Sequence, residues 1–216
     1  ESISRIKKPI VWTFHDAWAF CGTEHYPNGL EDDRYIKGYK KNNRPSNESG
    51  IDLNRLCWER KNKNWVKPFH IVCSSRWLAK CARESYLFRD FDISIIPTPL
   101  PLDIYKTWPK ENSKQLFGLE SNLPIILFGA LSGNTDPRKG WDLLYESLKI
   151  LECQKFQFQI VILGQSEERV RLSLNSKVTY IQKLSDDYSL ATLYSASDLV
   201  VVPSRIDNLL QMAIEA

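Results

Sequence analysis

The chain has 216 residues, 43% of them apolar, with 29 Lys and Arg against 26 Asp and Glu and a formal charge of +3. That length supports one large or two small domains with real cores, and seven Trp, nine Tyr and nine Phe exclude a disordered chain. The charge is too mild to argue for nucleic acid, and no apolar run approaches the roughly 18 residues of a membrane span. Cys21, Cys57, Cys73, Cys81 and Cys153 form no CxxC pair and are odd in number, which argues against a disulfide framework and for a reducing cytoplasm. Cys21, His25 and Cys57 lack regular ligand spacing, so no metal is expected. The opening ESISRIKK has neither an initiator Met nor a signal-peptide core, and the other end stops inside a helical pattern; part of a longer protein is expected.

The first element is IVWTF, residues 10–14, whose β-branched and aromatic content reads as a buried strand. His15 and Asp16 follow at its C-terminal end, where open α/β sheets bind ligands, and Asp16 is placed to orient His15 or shape its loop. Residues 27–50 are polar, rich in Asn and Lys and without periodicity. Residues 51–65 predict a helix with Leu53, Leu56, Cys57 and Trp58 inward and Arg55, Arg60, Lys61 and Lys63 as a solvated face. A short strand at 69–73 leads to a helix capped by Ser74 or Ser75 and running through Ala79 and Ala82. A third strand covers 92–96, and the stiff IPTPLPLDIY after it reads as a linker, dividing the chain into 1–103 and 104–216.

In the second half, LPIILFGAL at 123–131 predicts a strand ending near Gly129, where backbone approaches a ligand closely. SGNTDPRKG then supplies a turn-rich loop, and 141–152 has leucines at helical spacing. Arg138 and Lys139 stand at that helix entrance, as solvated loop charges or as cations for a diphosphate. Residues 156–163 predict another strand, ending in Gly164, Gln165 and Ser166, and 177–181 a short one. A helix capped by Asp186 or Asp187 follows, with Leu190, Leu193 and Tyr194 as its apolar stripe. Leu199 to Val202 reads as a buried parallel strand, and after a Pro-Ser turn the segment 208–216 is helix-competent. Asp207 at its mouth and Glu215 a little over two turns on are an N-cap and a solvated residue, or two carboxylates addressing one extended ligand at a helix N-terminus.

Several of these stretches resemble family 4 (group 1) retaining glycosyltransferases of the bacterial polysaccharide-biosynthesis type. PSRIDNLLQMAIEA resembles the stretch with the E-x7-E motif, in the variant that has Asp first. TFHDAWAFCGTEHY resembles the HDxWxFxG segment, SSRWLA the SxWLA stretch, and DPRKG the D-x-x-KG donor-phosphate motif. The linker is similar to IPNPxD with Thr98 in place of the usual Asn, and the motifs recur in the family's order along nearly the whole chain. The family's usual Arg just after the strand glycine and its extra cysteines after the aromatic segment are absent, so 27–50, where acceptor recognition is expected, departs from the pattern.

The resemblance implies an α/β protein of the GT-B fold: two Rossmann-like parallel-sheet domains, both incomplete, with 1–103 on the acceptor side and 104–216 binding the nucleotide sugar. It implies a metal-independent, retaining transferase without a cofactor. Such an enzyme moves a hexose-type sugar from a UDP- or GDP-sugar to a glycan or lipid-linked acceptor in the cytoplasm, including the inner face of the membrane by peripheral association, and has no nucleic-acid partner. Its site residues carry over one by one. His15 assists beside the donor sugar, with Trp18 and Phe20 packing or stacking on the acceptor. Lys139 stabilises the leaving diphosphate with Arg138 beside it, Gly129 and Gly164 lie close to the nucleotide, Asp207 and Asn208 position the donor sugar, and Glu215 grips the ribose. A sugar-nucleotide or glycan-binding module without turnover, and a sugar-nucleotide epimerase of the same plan, are the competing readings; the HDAWAF segment counts against the epimerase.

Overall fold

A computed structural model of the chain describes residues 6–27, 33–65, 69–129, 136–165 and 173–216. They fall into two units, Glu1–Thr98 and Pro99–Ala216. The first is built from β1 (Ile10–Phe14), α1 (Arg34–Lys37), α2 (Leu53–Asn64), β2 (Phe69–Cys73), α3 (Arg76–Glu84) and β3 (Asp92–Ile95). The strands are all parallel in the order β1-β2-β3, with Ile10 opposite Phe69 and His70 opposite Asp92. One face of this sheet feeds an aromatic core. Phe14, Ile71 and Cys73 meet Phe20, Leu78, Ala82 and Phe88, and Trp12 sets its edge against Phe14 and Trp65. The expectation that β1 is buried throughout is corrected: Val11, on the opposite face, is 67% exposed, so burial alternates with the pleat.

Local chemistry explains the helices. Asp52 starts α2 by accepting the Arg55 N–H at 2.9 Å, and Ser75, rather than Ser74, starts α3 by accepting the Leu78 N–H at 3.1 Å. The expected faces of α2 are partly reversed. Leu53 and Leu56 are exposed, whereas Lys61, placed with the solvated cations, is only 4% exposed. The polar stretch 27–50 holds α1 and a single 3-10 turn at Lys41–Asn43 that sequence periodicity does not show; its residues 28–32 lie outside the described ones.

The second unit contains α4 (Lys110–Leu116), β4 (Ile125–Gly129), α5 (Trp141–Cys153), β5 (Gln159–Leu163), β6 (Lys177–Ile181), α6 (Asp187–Ala196), β7 (Leu199–Val201) and α7 (Gln211–Glu215). Its four strands are parallel in the order β6-β5-β4-β7. Alternate residues supply two cores. Ile126, Phe128, Ile160 and Ile162 pack with Leu144 and Leu148 of α5, while Ile125, Leu127 and Val161 pack with Leu193 and Ala196 of α6. A parallel sheet covered on both faces is why β4 and β5 are continuous apolar runs. The fold class of two Rossmann-like parallel sheets therefore stands as expected.

Details differ from the sequence-based expectations. The strand expected at 123–131 ends at Gly129, with 130–131 and the loop residues 132–135 outside the described ones, as is Ser166. Phe156 to Phe158 precede β5 rather than belonging to it. β7 is an edge strand, not a buried one: Leu199 is 54% exposed. The last helix begins at Gln211 instead of 208. Helix α4 is not anticipated from the sequence because KENSKQL has no apolar stripe. Lys114 holds it by donating to the carbonyls of Ser121 at 3.1 Å and Leu123 at 3.0 Å. Among the described residues no helix is long and apolar enough to cross a membrane. All five cysteines are free thiols, and burial pushes Cys73 up to about 11, which keeps it an unreactive thiol.

Asp198 ties the edge strand to the sheet. Its Oδ2 accepts the Ile125 N–H at 2.8 Å and its Oδ1 pairs with Lys110. Burial pushes this carboxyl up, but the Lys110 ammonium and the Ile125 N–H outweigh it and hold the carboxyl below the ordinary carboxylate range. A depressed folded value adds stability above the unfolded value of about 4, and that stability is lost as pH falls through the folded value. The second unit should therefore lose stability below pH about 4 in a way that Asp198→Asn abolishes. Superimposable acid limbs for the two proteins in circular dichroism would contradict it.

Candidate functional site

The strand order of the second unit creates one topological switch. From β4 the chain moves outward to β5 and β6, then returns to the other side of β4 as β7. Crevices for ligands open at the carboxyl ends of strands where the order reverses. A cavity of about 190 Å³ lies there, lined by Phe128 and Gly129 from the end of β4, Pro203 and Ser204 after β7, and Lys139, Asp207 and Met212.

Each wall has a local cause. Asp136 caps the 3-10 turn Pro137–Lys139 by accepting the Arg138 N–H at 3.0 Å. Gly140 then takes φ 65°, a left-handed conformation that glycine adopts readily, and a Cβ there would stand 2.0 Å from the Pro203 carbonyl oxygen. This contact brings the turn before α5 against the loop after β7. Arg205 fastens the same junction: its N–H donates to the Arg138 carbonyl at 2.7 Å, and its guanidinium reaches the Pro137 carbonyl at 2.8 Å and both Asp142 carboxylate oxygens at 2.7 and 2.6 Å. The Arg205 guanidinium holds the Asp142 carboxyl below its ordinary range.

Across that junction Lys139 Nζ meets Asp207 Oδ2 at 2.7 Å, while Asp207 Oδ1 accepts the Asn208 N–H at 2.9 Å. Lys139 is more exposed than its partner, with side-chain accessibilities of 37% and 17%. The ammonium therefore remains accessible from the crevice while held in place by a charge-assisted bond. Gly129 lines the same cavity, and a Cβ there would stand 3.0 Å from Met212 Sδ.

The structure thus brings together Gly129, Lys139, Asp207 and Asn208. Gly164, at φ 84°, follows β5, whose Leu163 pairs with Gly129. Arg138 turns its guanidinium to Asp136 at 3.0 and 2.8 Å, and in doing so holds the Asp136 carboxyl below its ordinary range. Glu215 stands apart. It accepts the Tyr194 hydroxyl at 2.7 Å and lines a second cavity of about 500 Å³ with Tyr105, Lys106 and Lys110. Because 208–210 is not helical, the two-turn spacing of Asp207 and Glu215 does not put their carboxylates side by side.

His15 belongs to the first unit, exposed just beyond the C-terminal end of β1. Its neighbour Asp16 shapes the loop that follows. Asp16 Oδ1 accepts the Trp18 N–H at 2.8 Å, and Oδ2 meets His25 Nδ1 at 2.6 Å. Among the described residues no group of three or more His, Cys, Asp and Glu is placed to hold a metal. Sequence reasoning misses Arg205, Asp142 and Lys61, whose partners lie far away along the chain or are backbone carbonyls.

One comparison with known proteins falls within this second unit. The family described as group 1 glycosyl transferases matches residues 124–216. A lipopolysaccharide 1,2-N-acetylglucosaminetransferase from Salmonella typhimurium is 26% identical over 138 residues, covering 57% of this chain and 35% of that protein. A mannosylfructose-phosphate synthase from Agrobacterium fabrum is 26% identical over 174 residues, covering 62% of this chain and 37% of that protein. The chain thus spans little more than a third of the curated relatives it matches. The matched segment, which carries the crevice and the Lys139–Asp207 pair, is thus similar to the group 1 glycosyl transferases.

Proposed function

We propose that the whole protein transfers a hexose-type sugar from a UDP- or GDP-sugar to a glycan or lipid-linked acceptor, with retention and without a metal ion. The observation that carries this reading is the Lys139–Asp207 pair at the switch-point crevice. A departing nucleoside diphosphate needs positive charge where its pyrophosphate collects electrons, and a fixed ammonium supplies it without reorganisation. Lys139 fills that role, and Asp207, anchored by the Asn208 N–H, accepts hydroxyls of the donor sugar. Gly129 and Gly164 let the nucleotide approach the backbone at the strand ends. His15 is the catalytic candidate of the first unit. Glu215 is the ribose ligand, which requires its carboxylate to exchange the Tyr194 hydroxyl for ribose hydroxyls. The reaction belongs in the cytoplasm, where nucleotide sugars are the donors, including the inner face of the membrane.

Isothermal titration of the full-length protein with UDP, GDP and uridine, followed by donor-hydrolysis and transfer assays, tests this. Lys139→Ala should raise the Kd for the diphosphates about tenfold to a hundredfold, the worth of one charge-assisted bond, and leave uridine unaffected. Equal losses for uridine and UDP would move Lys139 off the phosphates. Nucleotide binding without hydrolysis or transfer would make the protein a binding module.

A further inference from the structure

The loop after β1 presents a second arrangement of polar groups. Residues 17–25 are held from three sides. Lys61 of α2 donates its Nζ to the carbonyls of Trp18, Cys21 at 3.0 Å and Gly22 at 2.6 Å. Asn54 accepts the Thr23 N–H at 3.1 Å, and Glu24 accepts the Tyr39 hydroxyl at 2.6 Å. The loop then closes on itself, Ala17 N–H donating to the His25 carbonyl at 2.9 Å. On this anchored base the His25 side chain is 65% exposed, with Asp16 at its Nδ1.

We propose that His25, oriented by Asp16, is a binding residue for a hydroxyl of the acceptor sugar; this rests on the glycosyltransferase reading. A carboxylate only accepts, so Nδ1 carries the proton towards Asp16; in the Nδ1–H tautomer Nε2 is then the hydrogen-bond acceptor offered to a ligand. Exposed polar pairs usually fluctuate and contribute little. Here the Asp16 carboxylate is fixed by its second bond to Trp18 N–H and the His25 backbone by Ala17, so the ring is aimed in advance. The Ala17–His25 bond also brings together the loop ends that carry two aromatic residues: Trp18, 37% exposed, and Tyr26, stacked on Trp77 at 6.2 Å. An imidazole acceptor on a loop that also carries aromatic residues suits a pyranose, whose hydroxyls donate and whose C–H faces pack on rings.

The test uses the full-length protein and a panel of octyl glycosides of glucose, galactose, mannose and N-acetylglucosamine, with UDP and GDP titrated in parallel. Imidazole nitrogen resonances of His25 should show the Nδ1–H tautomer and an Nε2 shift on adding a glycoside. His25→Asn keeps an amide at the Nδ1 position for Asp16 but has nothing at Nε2, and should raise the glycoside Kd about tenfold. His25→Gln, with its amide near the Nε2 position, should recover part of that loss. A glycoside Kd unchanged in His25→Asn, or no glycoside shifting His25 while UDP or GDP still binds, overturns the assignment. Loss of UDP and GDP binding in the wild-type protein would instead overturn the transferase reading beneath it.

Discussion

Replacing Lys61 by Met is expected to cost the first unit about 3–5 kcal/mol, enough to unfold a domain of ordinary stability. The methionine matches the length of the stem, so the loss is that of the ammonium. Its three carbonyl partners lie in the turn after β1, and two of the bonds are in a buried environment. Each carbonyl left dry without a donor costs about 1–3 kcal/mol. The ammonium also sits 3.9 Å from the centre of the Trp18 ring, a contact the thioether replaces only in part. Burial pulls the Lys61 amine below its usual value, so the loss of water around the charge is only partly offset by its surroundings. Urea unfolding followed by tryptophan fluorescence would measure the loss. A change under about 1 kcal/mol would mean that water replaces the ammonium and that the loop does not depend on it.

Gly140→Ala should cost about 2–4 kcal/mol and, with it, most of the nucleotide affinity. Left-handed backbone alone costs an alanine about 1–2 kcal/mol. Steric overlap costs more: the new Cβ would stand 2.0 Å from the carbonyl oxygen of Pro203, and backbone rather than a flexible side chain must give way. The movement separates the Lys139 turn from the loop bearing Asp207, so calorimetry should show a destabilised second unit and titration a weakened UDP or GDP complex. Gly118 is the internal control, because it too has positive φ, 61°, but nothing within 4 Å of an added Cβ. A Gly118→Ala loss as large as that at Gly140 would show that conformation alone, not the Pro203 contact, sets the cost.

How much of the fold and the site is legible in the sequence depends on where each interaction's partner lies. The strands β4 and β5 are visible because a doubly covered sheet demands uninterrupted apolar residues, and Ser75 and Asp186 because a cap sits next to what it caps. Lys139 and Asp207 are each singled out by motif, but their contact spans 68 positions and only the fold shows it. Lys61 looks like part of a solvated face because its partners are main-chain oxygens, which leave no mark on the sequence. Of the two roles the sequence offers Asp16, orienting His15 or shaping its loop, the turn displays the second, and its bond to His25, nine residues on, is visible only in the fold.

The order β6-β5-β4-β7 also bears on how the crevice comes into being. Its two walls are made at opposite ends of the unit, and the second exists only after the last strand has paired with the first, Leu199 beside Ile126. Such a long-range closure comes late on a folding route, after the local β4-α5-β5 contacts have formed. A nucleotide that occupies the finished crevice therefore acts on the native side of the barrier: it lengthens the lifetime of the folded chain without hastening its formation.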